Sequence, residues 1–521
     1  MRKYKVLVSF ALAFVMFISF AQVSYARAGQ MGFFGGISEG SRLPKTTEII
    51  LRQSGNQRSN NNNENLTNLA YKEILWLTGV PVEWEGLLSK TVSAGGGRST
   101  NTNVGTRTVR YQIRNSDTSP EEISLTRDIT YTVNWRREGN QIVEDWTVTR
   151  WSEVVVVGGT AFTLDQRQSH HHVSILRDLT PGVSYYAGDV SQRAVFTGEE
   201  DTVIHEVIGQ IFGYESAWSV TETHRLDGIV STADWQVQYQ IVPSVSVSKH
   251  LQYGENEPTL ISFAGNYREV MSNQSALSYV IHVVPNIFYG IPTSGSASIH
   301  TFNSFEQLIA PNLNFLRGHW AYGDIRRLFA MEILRGDPAH FQPNQGVTRG
   351  EFVTMLARAV KLPLDSVHMQ PPRGTRGNVN VTTNLIFPDV WHGRPDFPYI
   401  MAVHETGIAI GRGDGHFQPD EVLQRQEAYV LALRFLGLSN LGLEPTPITP
   451  YVDDNLIGDW ARRDIYAATR IGLIFPDENG MLHPRELMHK AEAAALINRL
   501  IEYMRHELQM DYTENVVNFM N

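Results

Sequence analysis

The sequence predicts a multidomain fold in which a mostly antiparallel β domain is followed by an all-α domain. Before residue 303, apolar and polar residues alternate with the period of two that half-buried strands require. After residue 303, short helical patterns replace the alternation, and one helix–loop–helix unit recurs three times. The chain has 521 residues, 42% of them hydrophobic, which is enough apolar material for two or three packed cores.

Composition excludes several classes of function. The chain has no cysteine, so disulfides, thiol catalysis, cysteine-ligated zinc and iron–sulfur clusters are ruled out. Its formal net charge is −10, which argues against a nucleic-acid partner. We expect no cofactor and no metal.

Residues 1–28 have the pattern of a secretion signal. Basic Met1–Lys5 is followed by the apolar run Val6–Phe20 and by Ala26-Arg27-Ala28, an A-x-A cleavage pattern. The alternative is an uncleaved membrane anchor, but the apolar run is shorter than the roughly 20 residues that span a bilayer. We therefore expect export, cleavage before Gly29 and no membrane contact afterwards.

Residues 29–303 form the predicted β domain. Asp128–Trp135 and Asp145–Trp151 alternate as strands, and Gly139-Asn140 between them suits a hairpin turn. One helix is predicted over Leu66–Leu77, because Leu66, Leu69, Ala70, Ile74 and Leu77 have helical spacing. The polar, Asn-rich stretch Ser54–Asn65 is predicted to be a mobile loop. Further strands are predicted at Val104–Ile113, Val154–Val157, Ala217–Thr223, Trp235–Val247, Thr259–Phe263 and Leu277–Val284.

The C-terminal part contains a threefold internal repeat. The loop Gly336–Asn344 recurs as Gly411–Asp420 and, more weakly, as Pro476–Pro484. An amphipathic helix follows each loop, and because one such unit cannot bury its own apolar stripe, the three should pack together. The predicted boundaries are 304–362, 384–440 and 449–505 for the repeats, 363–383 for an insertion, and 506–521 for a C-terminal tail.

These repeats resemble the S-layer homology family. The family's repeat has an aromatic-x-Asp start, a Trp, a G-x-x-D-G-x-F-x-P loop and a T-R-A-E helix start. The matches are Trp320, Phe341–Pro343, Thr348–Glu351, Phe387–Asp389, Asp414–Pro419, Gln424–Glu427, Tyr451–Asp453, Trp460 and His489–Glu492. The resemblance implies a pseudo-threefold bundle that holds an exported protein non-covalently on the cell wall by binding a secondary cell-wall polysaccharide, often a pyruvylated one. Other S-layer subunits are further partners that it implies.

The helix starts carry the predicted binding residues. Thr348 and Glu351 form a capping box around Arg349, where the helix dipole, unpaired N–H groups and a guanidinium would suit a carboxylate. A tryptophan would offer a flat face to a sugar ring. For each tryptophan alone a core position is favoured, whereas ligand contact is favoured for the arginine. The predicted polymer-binding set is Arg349, Arg425, Lys490, Trp320, Trp460, Asp389 and Asp454.

The three copies are not equivalent. Repeat one has Asn314 at the first Asp position, and repeat two has Pro395 at the Trp position with Phe397 nearby. Gln424 and His489 replace the capping Thr, so only repeat one keeps the full box. We expect fewer than three strong sites, with Arg349 the most important cation.

Other motifs are weaker signals. His170–His172 would alternate across a strand without a carboxylate set, so a polar loop is favoured over a metal site. His205–Gly209 lacks the second His of a zinc-protease helix, and Arg412-Gly-Asp414 lies within the repeat's own turn. The acid groups Glu199–Asp201 and Glu83 with Glu85 could serve glycoside hydrolysis in principle.

Two hypotheses remain for residues 29–303. The favoured one is a non-enzymatic S-layer or binding module, because no catalytic constellation is evident. The alternative is a wall-anchored polysaccharide or peptide hydrolase with its active site in these residues. Five tryptophans could line a sugar platform, although core positions are favoured for them: Trp135, Trp146, Trp151, Trp218 and Trp235.

Overall fold

The computed structural model describes most of the chain after residue 32. It describes residues 33–39, 66–94, 103–116, 122–139, 141–199, 201–253, 267–283, 293–300, 304–362, 386–408, 414–442 and 448–512, with the single positions 364, 411 and 445. The predicted signal, the Asn-rich loop and the predicted strand Thr259–Phe263 lie outside these residues.

The N-terminal region is a 15-stranded antiparallel sheet in which most strands pair with their sequence neighbours. Its strands are β1 (Ile37–Ser38), β2 (Leu66–Leu75), β3 (Val82–Ala94), β4 (Val104–Asn115), β5 (Ile123–Glu138), β6 (Gln141–Val157), β7 (Thr160–Leu164), β8 (His170–Leu179), β9 (Val183–Thr197), β10 (Thr202–Ser216), β11 (Ser219–Ser231), β12 (Gln236–Tyr253), β13 (Tyr267–Val283), β14 (Ser294–His300) and β15 (Ser304–Leu308).

The sheet curls around one enclosed core. Strand β14 approaches β2, and β1 lies against both β12 and β13, so the two ends of the strand order meet. Along β5 the alternate residues Ile129, Tyr131 and Val133 are fully buried, which confirms the predicted period of two. Glu138 pairs with Gln141 across the predicted two-residue turn.

Two local predictions in this region are wrong. Leu66–Leu75 is strand β2 rather than a helix, because its backbone pairs with both β1 and β3. Its period of two is hidden in the sequence because inward-facing Glu73 interrupts the apolar alternation and is buried as an ion pair with Arg127. The three histidines begin strand β8 rather than lying in a loop, with His171 buried and its neighbours exposed.

The C-terminal region is helical. Its helices are α1 (Tyr322–Ala330), α2 (Arg349–Ala359), α3 (Phe397–Glu405), α4 (Arg425–Leu436), α5 (Asp459–Arg470), α6 (Lys490–Glu502) and α7 (Leu508–Tyr512), with a π-helical turn (Tyr503–Glu507) between the last two. The stripes predicted on α2, α4 and α6 are buried in one common core. None of the helices in the described residues is long and apolar enough to cross a membrane.

Backbone hydrogen bonds join the three repeats in a closed cycle. The N–H of Val347 donates to Met488 O (2.8 Å), the N–H of Met488 to Leu423 O (2.8 Å), and the N–H of Leu423 to Val347 O (3.1 Å). Each of these residues immediately precedes the N-cap residue of α2, α4 or α6. The cycle therefore holds the three helix starts close together.

The sheet and the helices share a core. Trp218, in the β10–β11 turn, is 1% exposed and belongs to the hydrophobic cluster of the helical repeats. Its Nε1 donates to Ala359 O at the end of α2 (2.7 Å), and the cations of Lys361 and Arg505 lie 4.8 and 4.5 Å from its ring centre. The Gly182 N–H donates to Phe435 O (2.7 Å). The two regions are thus packed rather than merely tethered.

Candidate functional site

Each of the helices α2, α4 and α6 starts with a glutamate that caps it. The side chains of Glu351, Glu427 and Glu492 accept hydrogen bonds from the N–H groups of the N-cap residues three positions earlier, at 3.0, 3.0 and 2.8 Å. The N–H of Glu351 in turn donates to Thr348 Oγ1 (3.3 Å), which completes a capping box. The predicted box of repeat one is confirmed, but the prediction that only this repeat keeps a box is wrong, because Gln424 with Glu427 and His489 with Glu492 also form one.

The N–H groups at these helix starts are already used. In α2, the N–H of Arg349 donates to Glu421 O (2.8 Å) and that of Gly350 to Pro419 O (2.9 Å). The first turns of α4 and α6 donate in the same way to the loop of a neighbouring repeat. The predicted anion seat on unpaired N–H groups is therefore wrong in that detail, and anion binding must come from side chains.

The three predicted cations form a ring of ion pairs between repeats. Arg349 Nη1 lies 3.9 Å from Glu427 Oε1, Arg425 Nη2 lies 2.5 Å from Glu492 Oε1, and Lys490 Nζ lies 2.8 Å from Glu351 Oε1. Each glutamate thus caps its own helix with one oxygen and faces the preceding cation with the other. The sequence did not reveal these pairs, because their partners are far apart along the chain. Arg425 and Glu492 are 67 positions apart, and Lys490 and Glu351 are 139 positions apart.

The three pairs differ in strength. The pair of Arg349 is the longest, whereas Arg425 also contacts Glu486 (3.0 Å). Although burial opposes the charged form, the hydrogen bond to Glu492 raises the pKa of Arg425.

A groove of about 550 Å³ lies beside Arg349, a size suited to a small ligand or a short glycan segment. Trp460 lines it and is 55% exposed. A Cβ at Gly458 would lie 2.6 Å from Trp460 Nε1, so only glycine leaves room for this indole. The lining residues are Arg349, Ile408, Gly411, Glu421, Val422, Gln424, Gln426, Glu427, Val430, Leu431, Arg434, Trp460 and Leu487.

Neither predicted sugar-stacking tryptophan is a core residue. Trp320 is 65% exposed and packs its indole near His319, while Trp460 lines the groove. In repeat two Phe397 is buried, and Trp391, four residues before Pro395, is 57% exposed. Sequence alignment of the repeats missed Trp391 because it does not occupy the family's Trp position.

The predicted aspartates hold the repeat structure. Asp389 accepts from the N–H groups of Phe417 (3.0 Å) and Gln418 (2.6 Å) in the second-repeat loop. In repeat three the equivalent role belongs to Asp453, which accepts from Leu482 and His483. Asp454 instead contacts Arg462 (2.5 Å) and Thr449 (2.6 Å). The structure does not bring Asp389 and Asp454 into the lining of the Arg349 groove.

Sequence reasoning missed one groove residue with a readable signal. Gln426 stands where the family motif has alanine, and it is buried in the groove wall. Its Oε1 accepts from the Gly458 N–H (3.0 Å) and its Nε2 donates to Gln424 (2.8 Å). A glutamine in place of alanine at a helix start is the departure that could have indicated a repeat-specific contact.

The histidines, acidic residues and tryptophans that the sequence singles out in residues 29–303 lie at separate places in the sheet. Tyr131 OH bonds His171 Nδ1 (2.5 Å) and Tyr239 OH bonds His205 Nε2 (2.6 Å) inside the sheet. Glu83 and Glu85 share the outer face with Lys72. No group of three or more ligating side chains that could hold a metal occurs among the described residues. The predicted core tryptophans Trp135, Trp146 and Trp151 are buried.

Comparison with known families agrees with this architecture. The model of the S-layer homology domain matches residues 316–353, 387–428 and 450–494. The chain therefore carries three tandem S-layer homology domains at its C-terminal end, and the resemblance is confirmed.

Three curated relatives are similar to part of this chain. Amylopullulanase of Thermoanaerobacterium thermosulfurigenes is 28% identical over 223 residues, which are 41% of this chain and 11% of the relative. Exoglucanase XynX of Acetivibrio thermocellus is 26% identical over 191 residues, 36% of this chain and 16% of the relative. An S-layer protein of Bacillus thuringiensis subsp. finitimus is 25% identical over 180 residues, 34% of this chain and 20% of the relative.

Together with the domain matches, these similarities identify a secreted protein anchored on the cell wall. They also contradict the prediction that the protein is not an enzyme, because the first two relatives carry enzyme names. The chain spans at most a fifth of the length of these three relatives. The activity of those enzymes therefore bears on this chain only as a proposal.

Proposed function

We propose that this protein is held on the wall by a carboxylate-bearing wall polysaccharide, such as a pyruvylated one, bound in the groove between Arg349 and Trp460. The single observation that carries this is that Arg349, whose side chain is 13% exposed, and the half-exposed indole of Trp460 line one groove of sugar size. The guanidinium supplies two parallel hydrogen bonds to a carboxylate. The indole supplies an apolar face for the C–H side of a sugar ring.

The ring of ion pairs between the repeats indicates how a ligand carboxylate would exchange with a carboxylate of the protein. A ligand carboxylate takes the place of Glu427, whose second oxygen still caps α4. The closed cycle of backbone bonds supports a pseudo-threefold bundle, in which Arg425 and Lys490 occupy equivalent positions. Because the groove beside Arg349 also contains the exposed indole of Trp460, we propose that this groove binds most strongly.

The test is the affinity of the full chain for purified wall polymer, measured by calorimetry. Arg349→Ala should weaken binding at least tenfold, since one charge-assisted contact contributes about 1.5–3 kcal/mol. Arg335→Ala, at a 60% exposed arginine outside the groove lining, is the matched control and should change nothing. Reducing the polymer's carboxyl groups to alcohols should abolish the difference between Arg349→Ala and the unaltered protein.

The variant Glu427→Gln distinguishes a ligand-binding role of Arg349 from a purely structural role of Arg349. If Arg349 meets the polymer, removing the charge of its internal partner should leave affinity equal or higher. If Arg349 only holds the repeats together, Glu427→Gln and Arg349→Ala should weaken binding equally, and the proposal would be wrong. Circular dichroism verifies that each variant is folded.

A second function is favoured by the enzyme names of the relatives. We propose that residues 29–303 carry a glycan-hydrolase activity, so that the wall domains position an enzyme. Among the described carboxyls of the sheet region, burial raises the pKa of Glu73 and Asp178. Glu73 is sealed inside the sheet by Arg127, whereas Asp178 is partly exposed to solvent, so Asp178 is the candidate general acid that we choose to test.

Release of reducing ends from pullulan, β-glucan and xylan by the full chain tests this activity. Asp178→Asn should lower the rate at least a hundredfold, the low end for losing a general acid. Asp189→Asn, on strand β9, is the control. No release from any of the three polymers by the unaltered protein would contradict the proposal.

A further inference from the structure

The first described segment of the chain lies inside the curled sheet. The Phe33 ring packs 5.3 Å from the ring of Trp146 and 5.9 Å from that of His224. The Phe34 ring lies 4.4 Å from the Arg127 guanidinium, and Ile37 is fully buried. A Cβ at Gly36 would lie 2.2 Å from Tyr71 OH. The segment Phe33–Ser38, hereafter the docked segment, therefore fits its pocket through side chains and close backbone approach.

The pocket contains polar groups that the docked segment covers without bonding. Neither His171 Nε2 nor His224 Nδ1 has a hydrogen-bond partner among the described residues. The Phe34 ring stacks on His171 at 5.7 Å, and the Phe33 ring stacks on His224. The docked segment therefore fills its pocket through ring packing rather than through hydrogen bonds to these two histidines.

The backbone attachment of the docked segment is slight. Only Ile37 and Ser38 pair with β2, opposite Lys72 and Tyr71. The Glu39 N–H adds one bond to Ala70 O (2.7 Å), and Ser275 Oγ donates to Ser38 O (2.8 Å). Strand addition of this kind is a common way for a separate peptide to join a sheet.

The connection to the next strand is much longer than this register needs. Glu39 lies beside Ala70 and β2 begins at Leu66, so a hairpin loop of two to five residues would suffice. The chain instead has residues 40–65 there, whose end the composition predicts to be a mobile loop. Extended, 26 residues span about 90 Å, whereas a domain of this size is roughly 50 Å across.

We propose that the docked segment of one chain also inserts into the pocket of a neighbouring copy, linking wall-held molecules by strand exchange. The contacts are identical in both arrangements, so only concentration decides between them. A connection of this length gives the chain's own segment an effective concentration on the order of 1 mM. Copies spaced about 100 Å apart on a surface also reach a concentration on the order of 1 mM.

The crowding argument rests on the proposed wall attachment, but the exchange itself does not. Because the chain has no cysteine, two introduced cysteines report on the exchange without interference from native thiols. One full-length variant carries Ser38→Cys and another carries Ser275→Cys, and both are produced in the same cells. A disulfide between the two chains above the level produced by collisions requires that the docked segment of one chain occupies the pocket of the other.

Oxidised samples are compared on non-reducing gels after equilibration at about 10 µM and about 1 mM. The heterodimer should rise at least tenfold over this range. Ser38→Cys paired with Ser152→Cys, at an exposed position of β6, gives the collisional background. A heterodimer yield at 1 mM no greater than this background would overturn the proposal. Since no wall polymer is present, that result would leave the wall-binding proposal standing.

Discussion

Replacing Trp218 with alanine should uncouple the sheet from the wall-binding helices. The side chain is 1% exposed and packs in the helical core although it belongs to the sheet. Removing a buried tryptophan costs about 3–5 kcal/mol. The change also deprives Ala359 O of its donor and Lys361 and Arg505 of the ring between them, but these losses overlap with the packing loss and should not be added to it.

The measurement is calorimetric and urea-induced unfolding of the full chain. The period-two pattern alone suggests a β domain that folds by itself, whereas the shared core predicts one cooperative transition for both regions. Trp218→Ala should lower the free energy of unfolding by about 3–5 kcal/mol and split the transition in two. Trp320→Ala, at a 65% exposed tryptophan of the helical region, is the control and should cost less than about 1 kcal/mol.

Two separate transitions in the unaltered protein would refute this reasoning. So would a loss in Trp218→Ala no larger than in Trp320→Ala. Trp218→Phe keeps most of the packing but not the N–H donor, so its loss should fall between those two variants.

Three further predictions follow from the same geometry. Burial lowers the pKa of His171 to about 3 and the pKa of His205 to about 4. Because the unfolded chain then binds more protons below pH 6.5, the free energy of unfolding should fall on acidification by about 1.6 kcal/mol per histidine between pH 6.5 and 5. A urea midpoint that is unchanged over that range would contradict this prediction. Asp389→Ala leaves two loop N–H groups without their acceptor and should cost about 2–3 kcal/mol in urea unfolding, whereas a loss under 0.5 kcal/mol would refute a structural role. Gly458→Ala should displace the Trp460 indole, shift tryptophan fluorescence and weaken polymer binding at least threefold, and unchanged binding would show that this indole is not a contact.

Sequence patterns determined the parts of this protein that depend on neighbouring residues. Alternation identified most of the long strands, and the spacing of Thr348 and Glu351 identified a capping box that the structure contains. The three repeats and their family were readable because their motifs recur at similar spacing. In each case the information lies within a few residues along the chain.

Tertiary structure decided what depends on residues far apart in sequence. Strand β2 has helical spacing, yet it is a strand because its backbone pairs with β3 and its Glu73 meets Arg127, 54 positions away. Arg349 lies in a groove with Trp460 because the three repeats pack around one another. Trp218 packs among the helices rather than in the core of the sheet, because Ala359 O accepts its N–H there. Local propensities are weak compared with the burial and pairing energies that long-range contacts supply, so those contacts set the final arrangement.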